Sequence, residues 1–193
     1  MSSRSQFFAG VIILIAAFIG SLFLSLFIIS LDREFPSFRV ESASLNQLTI
    51  NGTEKMSASL NITLSVSDPN QYLSVSYQET LNADVFYRDE YGDVTLKTST
   101  IQPFNGSMIE LKLKVDSYEP LHLAESIVRR RREHGRVAFG LKVFTSIGFK
   151  SYIFVSNRKH LKYVCYPLSF GISKNVYNST PAALLQGVTC TNT

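Results

Sequence analysis

The sequence predicts an all-β protein, an antiparallel sandwich with one short helix, preceded by a single transmembrane helix. The first observation behind this prediction is an uncharged, almost wholly apolar stretch at residues 7–31. The second is a strict alternation of apolar and polar residues at 57–66, which indicates a strand with one buried and one wet face. The third is a series of shorter runs of the same kind, separated by turn residues. We therefore divide the chain into a cytosolic N-terminus (1–6), a transmembrane signal anchor (7–31) and an extracytosolic domain (32–193).

The apolar stretch is long enough to cross a bilayer. As a helix it would extend roughly 37 Å, against about 30 Å for the hydrocarbon core. A signal peptide that is cleaved off has a shorter apolar core and small residues at the cut, so we predict an uncleaved anchor and keep cleavage as the alternative. Small residues recur every four positions at Ala17, Ser21 and Ser25. This spacing predicts homo- or hetero-oligomers through the helix, although small residues are also common in such helices.

The sidedness of the chain follows from what lies after the helix. Arg4 precedes the helix and Arg33 follows it, so the positive-inside rule gives nearly a tie. The glycosylation triplets and both cysteines come after the helix. We therefore predict a cytosolic N-terminus and an extracellular C-terminus.

Two kinds of modification suit an extracellular domain. Glycosylation triplets begin at Asn51, Asn61, Asn105 and Asn178. Asn61 falls on the polar face of the alternating strand, where a glycan would project into water. Cys165 and Cys190 lack the spacing of metal ligands and predict one disulfide in an oxidising compartment; two free thiols are the alternative.

Further elements follow from local patterns. Residues 120–133 carry apolar residues at helical spacing, with Gly135 just beyond, and predict one helix. Apolar runs at 137–144 and 152–155 predict two strands separated by a turn at Gly148, and 161–167 predicts the last long strand. Shorter strands are expected at 38–40, 83–87 and 111–115, which brings the total to about seven.

Basic charge is concentrated in the second half of the domain. Residues 32–110 hold eleven acids and five bases, whereas residues 111–193 hold four acids and thirteen bases. Four of these bases form one run at the end of the predicted helix: Arg129, Arg130, Arg131 and Arg132. Three interpretations stay open: a solvated helix end, a patch for anionic lipid or acidic polysaccharide, and a protease site.

The sequence offers no catalytic constellation. His122, His134 and His160 have no partners at metal-ligand spacing, and no phosphate loop, nucleophile elbow or Cys-x-x-Cys pair occurs. We expect no enzyme activity, no metal and no cofactor. An extracytosolic domain also makes a nucleic-acid partner unexpected.

The order of several short motifs resembles a plant family. Pro36-x-Phe38-x-Val40 follows the anchor, then Ser44-Leu45-Asn46, the turn Asp68-Pro69-Asn70, Val75-Ser76-Tyr77 and Val85-Phe86-Tyr87. Over residues 36–190 the chain resembles the group-2 late-embryogenesis-abundant domain, and more narrowly the membrane-anchored hairpin-induced and non-race-specific-disease-resistance-like proteins. It departs from that pattern where Asp68 replaces the usual Asn and in lacking a Pro- and Arg-rich cytosolic tail.

The resemblance implies a fibronectin- or immunoglobulin-like sandwich at the plasma membrane and a role in pathogen defence or abiotic stress. It implies no catalytic residues. The leading hypothesis is a non-enzymatic protein that acts through its extracellular domain on a cell-wall, lipid or protein partner. A module that binds a lipid or another hydrophobic ligand between the sheets is the alternative, and an enzyme built from distant loops is the third.

Overall fold

A computed structural model describes residues 2–31, 34–51, 55–70, 74–77, 81–101, 108–118, 121–150, 157–172 and 181–193. Two helices and eleven strands lie in this part of the chain. They are α1 (Ser2–Leu31), β1 (Ser37–Asn51), β2 (Lys55–Ser67), β3 (Ser74–Tyr77), β4 (Leu81–Arg88), β5 (Asp93–Ile101), β6 (Met108–Tyr118), α2 (Leu121–His134), β7 (Arg136–Lys150), β8 (Lys159–Gly171), β9 (Ala182–Ala183), β10 (Val188–Thr189) and β11 (Thr191–Asn192).

The strands form two sheets in which all pairs are antiparallel. The first sheet has the order β10-β1-β2-β6, and β9 also pairs with β1. The second has the order β11-β8-β7-β4-β5, and β3 pairs with the end of β7 that β4 leaves free. Each sheet combines strands from both halves of the sequence. The charge asymmetry along the chain therefore does not divide the domain into an acidic and a basic sheet.

The core lies between the sheets and follows from the alternation of the strands. Along β2, Ala58, Leu60, Ile62, Leu64 and Val66 are buried, and the residues between them face outward. The facing strands do the same, and 30 buried residues make one continuous cluster. The predicted antiparallel sandwich is confirmed.

The long strand β7 defines two ends of the sandwich. At one end Phe149 contacts Phe35, which follows α1 closely; we call this the anchor-proximal end. At the other end β7 begins at Arg136, directly after α2; we call this the far end. The 13 steps from Arg136 to Phe149 place these ends about 44 Å apart at about 3.4 Å per residue.

Several details differ from the sequence-based predictions. Gly148 makes no turn: it lies inside β7, pairs with Ser76 of β3 and is buried. The predicted strand at 152–155 lies outside the described residues. Eleven strands lie in the described residues instead of the expected seven or so, because β3, β5 and the two-residue strands β9 to β11 were not anticipated. The helix at 120–133 is confirmed as α2, which ends at His134, with Gly135 at φ 63° accepting the left-handed conformation of a helix terminus.

Candidate functional site

Helix α1 is apolar and open to its surroundings on every side. The stretch Gly10–Phe27 is long and apolar enough to cross a membrane, and none of it is buried against the rest of the protein. Phe18 and Phe23, for example, are 67% and 69% exposed. A helix that is apolar all round and packs against nothing fits a single-pass membrane anchor.

The hydroxyl groups of the small-residue stripe are already satisfied within α1. Ser21 Oγ donates to the Phe18 carbonyl at 2.8 Å, and Ser25 Oγ donates to the Ser21 carbonyl at 2.9 Å. Because both hydroxyl groups donate within the helix, Ala17, Ser21 and Ser25 form a row of small side chains with no hydroxyl hydrogen left to donate to a neighbouring helix. Self-association through this row stays a prediction.

The segment that follows the anchor is hydrogen-bonded to the domain. The side chain of Asn70 bonds both backbone groups of Glu34: its Nδ2 donates to the carbonyl at 2.8 Å, and its Oδ1 accepts from the N–H at 3.3 Å. Asp68 holds Asn70 in place by accepting from its backbone N–H at 3.0 Å and from its Nδ2 at 2.7 Å. The Asp68-Pro69-Asn70 turn therefore acts as a clamp on the chain as it leaves α1.

Three further contacts fix this junction. The ring of Phe35 packs on Phe149 with centroids 6.1 Å apart, and Lys159 Nζ lies 5.4 Å from the centre of the Phe35 ring. Tyr163 Oη donates to the buried Pro36 carbonyl at 2.7 Å. Burial raises the pKa of Tyr163 to about 12, so the hydroxyl stays protonated and able to donate. Residues 34–36 are thus a docked part of the domain, which composition alone did not predict.

The four arginines do not form one patch. Arg129 pairs with Glu90 at 2.7 Å, Arg130 lies 5.7 Å from the centre of the Tyr87 ring, Arg131 is buried, and Arg132 is exposed. They point in different directions because consecutive helical residues are about 100° apart. They also lie at the far end, remote from the anchor. The expected anionic-surface patch therefore has only Arg132 as a fully exposed cation, together with the partly neutralised Arg129.

The far end is built from α2 and the β4–β5 turn. Tyr87 Oη and Ser126 Oγ share a hydrogen bond of 3.2 Å, which joins β4 to α2. In the turn, Asp89 Oδ1 accepts from the backbone N–H groups of Tyr91 and Gly92 at 2.8 and 3.0 Å. The Tyr91 side chain is left 85% exposed. A large aromatic side chain on an ordered turn is a common feature of protein interfaces.

A cluster of cations and aromatic rings covers the outer face of the second sheet. Arg88 lies 4.4 Å from the centre of the Tyr166 ring, and Lys142 lies 4.4 Å from that of Phe86. Asp93 joins the two cations, at 2.6 Å to Arg88 and 3.0 Å to Lys142. These bonds lower the pKa of Asp93, chiefly through Arg88, and raise the pKa of Arg88. The shallow pocket beside the cluster, about 390 Å³, is lined by three cations, Arg88, Lys142 and Lys162, and by one acid, Asp93, which pairs with the first two.

The two cysteines are bonded to each other. Cys165 lies in β8, Cys190 lies between β10 and β11, and their sulfur atoms form a disulfide. Neither cysteine is free. The bond ties the C-terminal segment to the core, where both residues are buried.

The structure describes one glycosylation triplet in full. Asn61 is exposed on the outer face of β2, as the alternation predicted. Asn51 ends β1, but its side chain is outside the described part, as are Asn105 and Asn178. Glycosylation at the four positions stays a prediction.

The described ranges show no arrangement for chemistry. Within them, no three His, Cys, Asp or Glu side chains lie close enough to hold a metal ion. His134 and His160 are exposed at opposite ends of the domain, and the side chain of His122 is not described. We find no nucleophile, base and orienting group together in this part of the chain.

An exposed apolar helix that fits a membrane anchor is joined, through the docked residues 34–36, to a disulfide-linked β-sandwich. This arrangement is that of a membrane-anchored β-sandwich protein. Within that class, the chain is similar to NDR1/HIN1-like protein 26 of Arabidopsis thaliana. The two are 26% identical over 196 residues, which covers 98% of this chain and 85% of the relative. The similarity therefore includes both the anchor and the sandwich and supports a relationship to the NDR1/HIN1-like proteins.

A second relative is more distant. The chain is 20% identical over 139 residues to the uncharacterized Arabidopsis thaliana protein At1g08160, which covers 72% of this chain and 63% of that protein. No protein-family model matches the chain. The late-embryogenesis-abundant domain suggested by the motif order therefore stays a prediction.

Proposed function

We propose that this chain is an NDR1/HIN1-like, non-enzymatic protein of plant defence or abiotic-stress response, which acts at the plasma membrane through its extracellular sandwich. The observation that carries the proposal is the clamped junction between α1 and the sandwich. A protein that only needed to be tethered to the membrane would not require a junction that is hydrogen-bonded to its domain. A docked junction holds the domain at a defined height and angle above the membrane.

The near full-length similarity to NDR1/HIN1-like protein 26 supports this proposal. The name of this relative is not that of an enzyme. The disulfide supports an oxidising compartment, because such bonds persist outside the cytosol. With the C-terminus extracellular, the exposed Asn61 also faces the compartment in which glycans are added.

The far end is the surface we assign to a cell-wall or protein partner. It stands about 44 Å from the junction and so reaches furthest from the membrane. Tyr91, Arg132 and Arg136 are among its exposed aromatic and basic side chains. Both residue types contribute strongly to binding when a partner buries them.

The alternative, a module that takes a lipid between the sheets, is less well supported. The inward-facing side chains form a single cluster, and Phe38, Leu60, Phe139 and Phe170 in it are fully buried. Interiors filled by side chains in this way are typical of a packed core, which favours the first proposal over a ligand held between the sheets.

Complementation of a plant that lacks the gene tests the proposal. The wild-type chain is expected to restore pathogen resistance or tolerance of water loss. Ile15→Lys with Ile19→Lys should fail because it interrupts the apolar span, and Tyr91→Ala with Arg132→Ala should fail while still fractionating with membranes. Lys97→Ala, at another exposed position, is the matched control and should complement fully. If loss of the gene changes neither trait, the proposed role is wrong.

A further inference from the structure

The anchor-proximal end of the sandwich carries three exposed cations: Lys150 at the end of β7, Arg158, and Lys159 at the start of β8. They lie together because β7 and β8 are neighbours, with Lys159 paired to Ile147. Nothing in the predicted or proposed function uses them. Their position relative to the anchor is what gives them a role.

The docked junction limits how far this end can stand from the bilayer. Helix α1 ends at Leu31, and Glu34 is already bonded to Asn70. Three residue steps span at most about 11 Å. The headgroup layer on one side of a bilayer is itself roughly 5 to 8 Å thick. The end of the domain that binds Glu34 therefore lies next to the headgroups if α1 spans the membrane.

The contacts of Phe35 place the cations at that same end. Phe35 packs on Phe149, the residue before Lys150, and Lys159 Nζ lies 5.4 Å from the centre of the Phe35 ring. Long Lys and Arg side chains can extend toward phosphate groups while their stems pack on apolar surface. The charge of these residues and their position thus both favour contact with the phosphate groups of the membrane.

Two acids lie at this end among the described residues, and they do not cancel the cations. Asp68 accepts two hydrogen bonds from Asn70 and keeps its negative charge. Together with the exposed Glu34 it offsets two of the three positive charges, so this end keeps a net positive charge among the described residues.

We propose that Lys150, Arg158 and Lys159 form a contact surface for the phosphate-bearing headgroups of the membrane in which α1 is anchored. The inference rests on the proposed anchoring of the chain. Contact at these residues fixes the sandwich upright and directs its far end away from the membrane.

The test uses the full chain in lipid nanodiscs with 20% phosphatidylglycerol and a quencher attached to the headgroups. Because the two native cysteines are bonded to each other, an introduced thiol can be labelled alone. Ser76→Cys places a fluorophore on β3 at the anchor-proximal end, and Glu133→Cys places it on α2 at the far end; both positions are exposed. We expect severalfold stronger quenching at position 76 than at position 133, and weaker quenching in 1 M salt because charges are screened.

A triple variant tests the cations themselves. Lys150→Gln, Arg158→Gln and Lys159→Gln together should lower the ratio of docked to undocked domain on the order of 100-fold, from about fivefold per basic residue near an anionic leaflet. The control replaces three exposed cations elsewhere, Lys97→Gln, Lys112→Gln and Lys114→Gln, and should leave the quenching unchanged.

The outcomes separate the two proposals. A chain that does not enter the nanodiscs contradicts the proposed anchoring. A chain that enters them, but shows equal quenching at both labels, or in the triple variant and the wild type, overturns the headgroup contact alone.

Discussion

The hydrogen bond from Tyr163 to Pro36 gives the sharpest test of the docked junction. Tyr163→Phe removes one oxygen atom and keeps the ring, which packs on Phe38 with centroids 4.6 Å apart. The buried Pro36 carbonyl then loses its donor, which lay 2.7 Å away. Leaving a buried acceptor unsatisfied costs about 1–3 kcal/mol. We therefore expect the junction to open about 5- to 150-fold more often.

Hydrogen exchange of the full chain in nanodiscs measures this opening. The backbone amides of Ser37 and Phe38 should exchange faster in Tyr163→Phe, whereas amides at the far end of β7 should not change. Tyr166→Phe is the matched control, because it removes the same atom from the same strand at a half-buried residue whose ring stacks on Phe86 and Arg88, away from the junction.

Equal exchange at the junction in Tyr163→Phe and the wild type would refute this reasoning, and so would equal acceleration in Tyr166→Phe. Either result would mean that the segment after α1 is held by something other than this bond.

Three further predictions concern the stability of the sandwich. A Cβ on Gly140 would overlap the Phe86 ring, so Gly140→Ala should destabilise the fold by about 1–3 kcal/mol in urea titration, and Phe86→Leu in the same chain should recover part of the loss. Replacing Cys165 and Cys190 by Ala opens a loop with a sequence separation of 25 and should cost about 3.5 kcal/mol; an unchanged urea midpoint would contradict a bonded pair in the native protein. Because the pKa of Tyr163 rises from about 10 unfolded to about 12 folded, its contribution is present below pH 10 and should be lost as the pH rises through 12. A free energy of unfolding that stays constant from pH 10 to 12 would contradict this prediction.

The elements that the sequence predicted are those with strong local signals. The alternation at 57–66 has one solution, a half-buried strand, and β2 takes it with Asn61 outward. Helix α2 was predicted from apolar residues at helical spacing and from Gly135 just after its end. The uniform apolar stretch at the N-terminus predicted a long apolar helix, and α1 is that helix. In each case the pattern of apolar and polar residues within one element was enough to predict whether that element is a helix or a strand.

The elements that escaped prediction depend on contacts between distant residues. Gly148 looks like a turn, but β3 pairs across it from about 70 residues away and keeps it extended. Strand β5 is an edge strand with Leu96 as its one fully buried residue, so it lacks the alternation that identified β2.

The candidate sites show the same limit. The run of four arginines suggested one patch, yet helical geometry and contacts with Glu90 and Tyr87 assign each arginine a different environment. The clamp at Asn70 was visible only as a turn motif, because its partner Glu34 lies 36 residues away. Pairing of Cys165 with Cys190 could be anticipated, since two cysteines allow only one bond.

Sidedness is the claim on which the account depends most directly. Protease treatment of sealed microsomes that contain the full chain, combined with glycosidase digestion, measures it. We expect the sandwich to be protected, and we expect Asn61→Gln to migrate faster than the wild type before glycosidase treatment but not after. Complete digestion of the sandwich in sealed microsomes, with no mobility shift from glycosidase, would place the domain in the cytosol and contradict the account.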